Sequence, residues 1–243
     1  MTPHLQCQGL GCRLGGQWVL RGIDLRIAPG ERVALVGANG SGKTTLMRVL
    51  HGLQPHHQGT LTRGEAEQVM MFQRPHMMRL SVQAQLQLGL WLAPGSARTW
   101  SNWQRCRQQA AQVLRDMGWA DLAQQPANTL SGGQRQRVAF ALAWARQPDV
   151  VFLDEPTANL DPQSKRELET RLAEALDARE ADRPVTLVFS SHNLGQVKRL
   201  ATRVIYLERG QVQADLPTER FFEDDLSESH PLAHWFLKGE RFT

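Results

Sequence analysis

Residues 37–45, GANGSGKTT, restrict what this chain can fold into more than any other stretch of it. They fit the spacing GxxxxGK[ST], and they fall between a short apolar run, Arg32–Val36, and a stretch at 44–52 where Leu, Met and Val recur at helical spacing. A strand, a glycine-rich loop and a helix in that order make a phosphate cradle. Gly37, Gly40 and Gly42 let backbone N–H groups turn inward, and Asn39, Ser41 and Thr45 complete the loop. Lys43 brings a point charge to the β and γ phosphates, and Thr44 offers its hydroxyl to Mg2+. A glycine-rich turn that merely precedes a lysine would need neither flanking element.

The rest of the pattern is built around that cradle. Residues 18–27 alternate loosely between apolar and polar, and Ala28, Pro29 and Gly30 then supply a turn. Apolar runs return at 150–153, 185–190 and 203–207, with a helix expected over 162–179. Alternating strands and helices imply an α/β fold with a largely parallel sheet. Between 76 and 146 the β-branched runs thin out and Leu, Ala, Gln, Arg and Trp take over, the mix of a helical insertion. The 243 residues suffice for one large core, and no apolar stretch approaches the roughly 20 residues of a membrane helix. The opening MTPHLQCQGL has neither a basic start nor a long apolar segment, so the cytoplasm is the expected compartment. Three cysteines without a CxxC pair point to free thiols. The net charge of +4 is compatible with nucleic acid, an anionic membrane surface or a phosphorylated ligand, and chooses none of them. Among the histidines only the adjacent His56 and His57 approach a metal-binding arrangement.

Two further motifs carry chemistry. The run ValValPheLeuAspGlu at 150–155 ends in two carboxylates where ligands of parallel sheets sit; Asp154 can hold Mg2+ and Glu155 can polarise a water as general base. Leu130 to Gln134, LSGGQ, would open the helix that runs through Val138, so that Ser131, Gly132 and Gly133 present free N–H groups and the positive end of the helix to an anion. A Ser cap followed by flexible glycines is the bland alternative.

In this order, the cradle at 37–45, LSGGQ at 130–134 and the acidic strand at 150–155 resemble the ATP-binding cassette family over nearly the whole chain. Further positions match its pattern: Gln73 after the apolar residues 69–72, AsnLeuAsp at 159–161, and His192 after the strand at 185–190. The resemblance implies a P-loop, RecA-like fold with a mostly parallel sheet, an N-terminal antiparallel β portion and an inserted α-helical subdomain. One domain would then span 1–243, with its core at 1–75 and 147–243 and the helical signature subdomain at 76–146.

The resemblance also implies an ATPase that binds ATP and Mg2+. The phosphate loop, Gln73 and Ser131 to Gln134 would contact the nucleotide, Thr44, Gln73 and Asp154 the metal, and Glu155 with His192 would carry catalysis. The family usually has an aromatic side chain where Leu14 stands; either Trp18 substitutes as the stacking surface for adenine or Leu14 gives an apolar contact. The usual acid after the switch histidine is Asn193 here. Two copies would pair head to tail, Lys43 of one and Ser131 of the other enclosing the same ATP. The chain would sit at the cytoplasmic face of the membrane as the ATPase subunit of a transporter, with separate permease subunits, a solute-binding protein and no nucleic acid. Residues 73–82 would receive a short helix of the permease, His76, Met77 and Met78 suiting such a contact. The expected cargo is a small anion of the tungstate or phosphate kind. Amino-acid importers, exporters and soluble relatives acting on nucleic acid or ribosomes are the alternatives.

Overall fold

The structure, a computed structural model, describes residues 4–158, 160–178 and 183–239. In chain order its elements are β1 (Leu5–Leu14), β2 (Gln17–Ile27), β3 (Arg32–Val36), α1 (Lys43–His51), β4 (Gln58–Arg63), β5 (Gln68–Met71), α2 (Val82–Trp91), α3 (Trp100–Asp116) and α4 (Gly132–Ala145). They continue with β6 (Val150–Asp154), α5 (Pro162–Asp177), β7 (Thr186–Ser190), α6 (Leu194–Leu200), β8 (Arg203–Glu208), β9 (Gln211–Pro217), α7 (Thr218–Glu223) and α8 (Pro231–Lys238). The chain divides into two compact units, one of residues 1–70, 149–155 and 178–243, the other of 71–148 and 156–177.

The first unit holds two sheets. An antiparallel one has the order β2-β1-β4, and a six-stranded one runs β5-β6-β7-β3-β8-β9. In the larger sheet β6, β7, β3 and β8 are mutually parallel, while β9 returns antiparallel to β8. Every residue of β6 and β7 is buried, as strands with both faces covered must be. Helix α1 packs against strands of both sheets. Its Leu46, Met47, Val49 and Leu50 join Leu5, Leu20 and Ile23 on one side and Val33, Leu35, Phe152 and Val188 on the other in one apolar cluster. That packing fixes the amino end of α1 beside the carboxyl ends of β3 and β6.

The second unit is helical. Helices α2 and α3 form an antiparallel hairpin: Gln83 and Gln87 on α2 donate to the carbonyls of Arg107 and Trp103 on α3, and the Trp91 and Trp103 rings meet edge to face at 5.5 Å. Gly89 lets α4 approach, since a Cβ there would collide with the Leu142 side chain. Phe140 stacks on Trp144 and meets Trp119 edge-on. Helix α5, expected with the 147–243 core, groups with this unit. Its Glu167 accepts a hydrogen bond from the buried Trp119 indole at 3.1 Å and pairs with Arg137 of α4.

Local boundaries differ from the sequence reading where alternation is broken. β1 carries three register shifts against β2, with Gly9 and Gly11 inside it, so its apolar residues do not alternate cleanly. The polar, largely exposed β4 has no alternation of its own, and β9, α7 and α8 lie beyond the elements the sequence reading named. The three cysteines are free and buried.

Candidate nucleotide site

The cradle is a loop in which glycine is required twice over. Gly37 has φ +145°, and a Cβ on it would run into the Leu207 carbonyl and lie 2.9 Å from Ser41 Oγ; Gly42 has φ +107° and backs onto Leu20. Helix α1 starts at Gly42 with no side-chain cap and no acid in its first turn, so its leading N–H groups and positive end are left for an anion. Lys43 is buried, and its ammonium donates to the carbonyls of Gly37 (2.8 Å) and Ala38 (2.9 Å), which places its charge within the loop. Burial pulls the Lys43 pKa below the usual lysine value, with Glu155, Asp154 and Glu208 opposing that shift. Gly210 donates to the Ser41 carbonyl at 2.9 Å, pinning the loop to the turn after β8. Asn39, Gly40 and Thr45 complete the span between β3 and α1.

The carboxylates come from the carboxyl end of β6, which β7 separates from β3 in the sheet. Asp154 is buried, and its Oδ1 accepts from Thr44 Oγ1 at 3.0 Å and from Ser190 Oγ at 2.8 Å. A hydroxyl and a carboxylate side by side are the hard oxygen donors that Mg2+ takes, so these residues fit that ion. The Glu155 N–H donates to the same Ser190 Oγ at 2.9 Å, and Glu155 has φ +45°, a left-handed backbone unusual for a residue with a side chain. His192 Nδ1 lies 3.6 Å from Glu155 Oε2, beyond hydrogen-bond reach and within ion-pair range for a protonated imidazole. Sequence reasoning missed Ser190 as a site residue; a pair of serines, 190 and 191, at the end of an apolar run was the only signal.

At the antiparallel sheet, Trp18 lies opposite Arg13 in the β1–β2 pair. The Arg13 guanidinium sits 4.1 Å from the indole centroid, and a Cβ on Gly11 would lie 2.8 Å from the ring. One face of Trp18 is thus taken by a cation, while Leu14 is exposed at the end of the same hairpin. His57 Nδ1 accepts the Arg13 N–H at 3.1 Å.

The remaining expected residues belong to the helical unit. Ser131 caps α4 in a reciprocal box: its Oγ accepts the Gln134 N–H at 3.3 Å, and the Gln134 side chain accepts the Ser131 N–H at 2.9 Å. The cap sits at the same helix end that the sequence reading expects to face an anion. Gly132 opens onto free space, whereas Gly133 faces Ser164, where a Cβ would lie 2.9 Å from Oγ. Gln73 is exposed and its carbonyl accepts from Gln136 on α4 at 2.9 Å, so the glutamine segment is tied to the signature helix through a residue the sequence reading did not name. Asp161 accepts from the N–H groups of Gln163 and Ser164 at 3.0 and 2.9 Å and so caps α5; Asn159 lies outside the described residues.

Comparison with known proteins agrees with this geometry. The ABC transporter family profile matches residues 20–158, which hold the cradle, Gln73, the signature and the acidic strand. The nickel import ATP-binding protein NikO of Rhodobacter capsulatus is 37% identical over 89% of this chain and 90% of its own length. The phosphate import ATP-binding protein PstB 2 of Natronomonas pharaonis is 33% identical over 97% and 87%. A solved ATP-binding cassette, a dimer in a post-hydrolysis state with ADP and Pi, superposes with a TM-score of 0.76 at 24% identity over 88% of this chain and 98% of that one. The chain belongs to the ABC transporter family, and it is an ATPase of that family.

Proposed function

We propose that this chain is the ATPase subunit of an importer, that it works as a head-to-tail pair, and that it passes the energy of ATP to a separate membrane permease. The observation that carries the catalytic part is the pairing of Asp154 with Ser190 across β6 and β7, which brings Glu155 and His192 together beside Thr44 and Lys43. Lys43 and the first N–H groups of α1 hold the β and γ phosphates. Thr44 and Asp154 would hold Mg2+, which when bound would supply positive charge to the phosphate oxygens. Glu155 takes the proton of the attacking water, and His192 orients Glu155 and contacts the γ-phosphate. Ser131, Gly132, Gly133 and Gln134 of a second copy offer a helix end to the same phosphates. The base meets either Trp18, with Arg13 over its ring, or Leu14.

The permease keeps the chain at the cytoplasmic face of the membrane, and a solute-binding protein delivers cargo from the other side. The phosphate-import relative supports a small oxyanion as cargo, of the phosphate or tungstate kind. The nickel-import relative matches over 89% of the chain at higher identity, so cargo is read from the partners rather than from these residues.

The test is Glu155→Gln. Replacing the base while keeping its shape lowers turnover by more than about a hundredfold and leaves ATP bound, so the variant accumulates as a dimer with ATP on size exclusion. Pulled from detergent-solubilised membranes in that state, it brings a multi-span permease along. A variant that stays monomeric and turns over at the wild-type rate refutes the reading.

A further inference from the structure

From residue 68 to residue 115 the chain has no Asp or Glu, yet it has six arginines, at 74, 79, 98, 105, 107 and 115. The whole chain is nearly balanced, 28 Lys and Arg against 24 Asp and Glu, so the excess is local. It falls largely on the α2–α3 hairpin, whose connecting end carries two of the most exposed large apolar side chains, Trp100 at 73% and Leu92 at 53%. That end is firmly built. Arg98 donates to the carbonyls of Leu92 (3.1 Å) and Ser96 (3.2 Å) and lies over the Trp91 ring at 5.1 Å, while Trp91 meets Trp103. The Thr99 hydroxyl accepts the Asn102 N–H and caps α3. Trp100 is therefore held out on a capped helix end and is not the tip of a slack loop.

Two turns along α3, on the side of Trp100, stands Arg107, while Arg105 projects from the far side of the same helix. Both are exposed, and neither guanidinium has a hydrogen bond or ion pair among the described residues. The first acid beyond them, Asp116, is at the far end of α3, about 24 Å from Trp100 along the helix axis. Neighbouring α4 has no acid at all.

We propose that this end of the hairpin is a docking surface for the anionic headgroups of a bilayer. An exposed Trp and an exposed Leu at one end of the hairpin suit the boundary between headgroups and acyl chains, and the unpaired Arg107 on the Trp100 side, with Arg105 on the outer side of the same helix, complements the negative leaflet. A permease loop fits less well, because cytoplasmic loops of membrane proteins carry an excess of Lys and Arg, which would repel this patch. The surface needs neither a permease nor a second copy, so the inference stands apart from the proposed transport role.

The experiment uses the full chain without a permease. Co-sedimentation is measured with vesicles of phosphatidylcholine alone and of phosphatidylcholine with phosphatidylglycerol. Binding is expected to the anionic vesicles only, and to fall steeply at about 0.5 M salt. Trp100→Ser, and separately Arg105→Gln with Arg107→Gln, weaken it by about tenfold or more. ATPase activity of the free chain stays at the wild-type rate in both and reports that the fold is intact. Equal binding to neutral vesicles, no binding to either, or unchanged binding of the variants overturns the proposal. Tighter binding to single-stranded RNA, lost in the same variants, overturns it too and makes the patch a nucleic-acid surface.

Discussion

Ser190 shows how one hydroxyl can tie down two neighbouring carboxylate residues. It has one proton to give and gives it to Asp154 Oδ1, and it accepts the Glu155 N–H, so the two carboxylate residues are tied to β7 two positions before His192. Holding Glu155 at φ +45° costs about 1–3 kcal/mol for a residue with a Cβ, and the bond to Ser190 helps offset that cost. Removing the hydroxyl leaves the buried Asp154 with one donor fewer and the Glu155 N–H without this acceptor. Ser190→Ala is therefore expected to destabilise the fold by about 1–3 kcal/mol and to lower kcat by roughly tenfold or more, with the Kd for ATP nearly unchanged. Ser190→Thr, which keeps the hydroxyl, retains most of kcat. Melting curves, single-turnover rates and nucleotide titration separate these effects; a wild-type kcat in the alanine variant would sink the positioning role. The contrast with Lys43 explains what was legible. Lys43, Thr44 and their glycines lie on one continuous loop, so spacing along the chain reveals them, whereas Ser190 meets Asp154 only through the pairing of strands 36 positions apart.

At the scale of elements, α4 has a capped amino end at the place where sequence reasoning had set a cap against a phosphate contact. Ser131 is a cap within a reciprocal box, and the helix end that it caps is also the proposed phosphate contact. The roles part when the cap is kept and the charge is changed. Asp caps helices as well as Ser does, so Ser131→Asp keeps the melting temperature close to wild type. A carboxylate placed against the γ-phosphate repels it, so turnover falls by about tenfold or more. Loss of stability in step with turnover would mean that the signature serves only the fold. Elements were legible in proportion to their regularity. The fully buried β6 and β7 are short unbroken apolar runs, and α4 opens with a recognisable cap. β1 was obscured by its bulges, and the membership of α5 in the helical unit rests on Glu167 meeting Trp119 and Arg137, contacts that no periodicity displays.

For the whole molecule, what matters is whether the cradle and the signature that serve one ATP come from one chain or from two. They lie in different units of the chain, Lys43 in the first and Ser131 in the second. In the proposed head-to-tail pair each site takes Lys43 from one copy and Ser131 from the other, the self-complementary contact expected of a twofold dimer. Lys43→Ala and Ser131→Ala homodimers then lack one half of both sites, and each is inactive alone. Mixing them gives dimers in which one site inherits both substitutions and the other inherits none. With random pairing and sites that fire independently, about a quarter of the wild-type sites per chain are restored. If each chain enclosed its own ATP with its own Ser131, every site in the mixture would still bear one substitution and nothing would be regained. ATPase rates of the two variants, separately and after mixing at equal concentration, distinguish these arrangements: recovery above the sum of the separate rates requires that the site be shared, and its absence at concentrations where wild-type chains pair removes the two-copy reading.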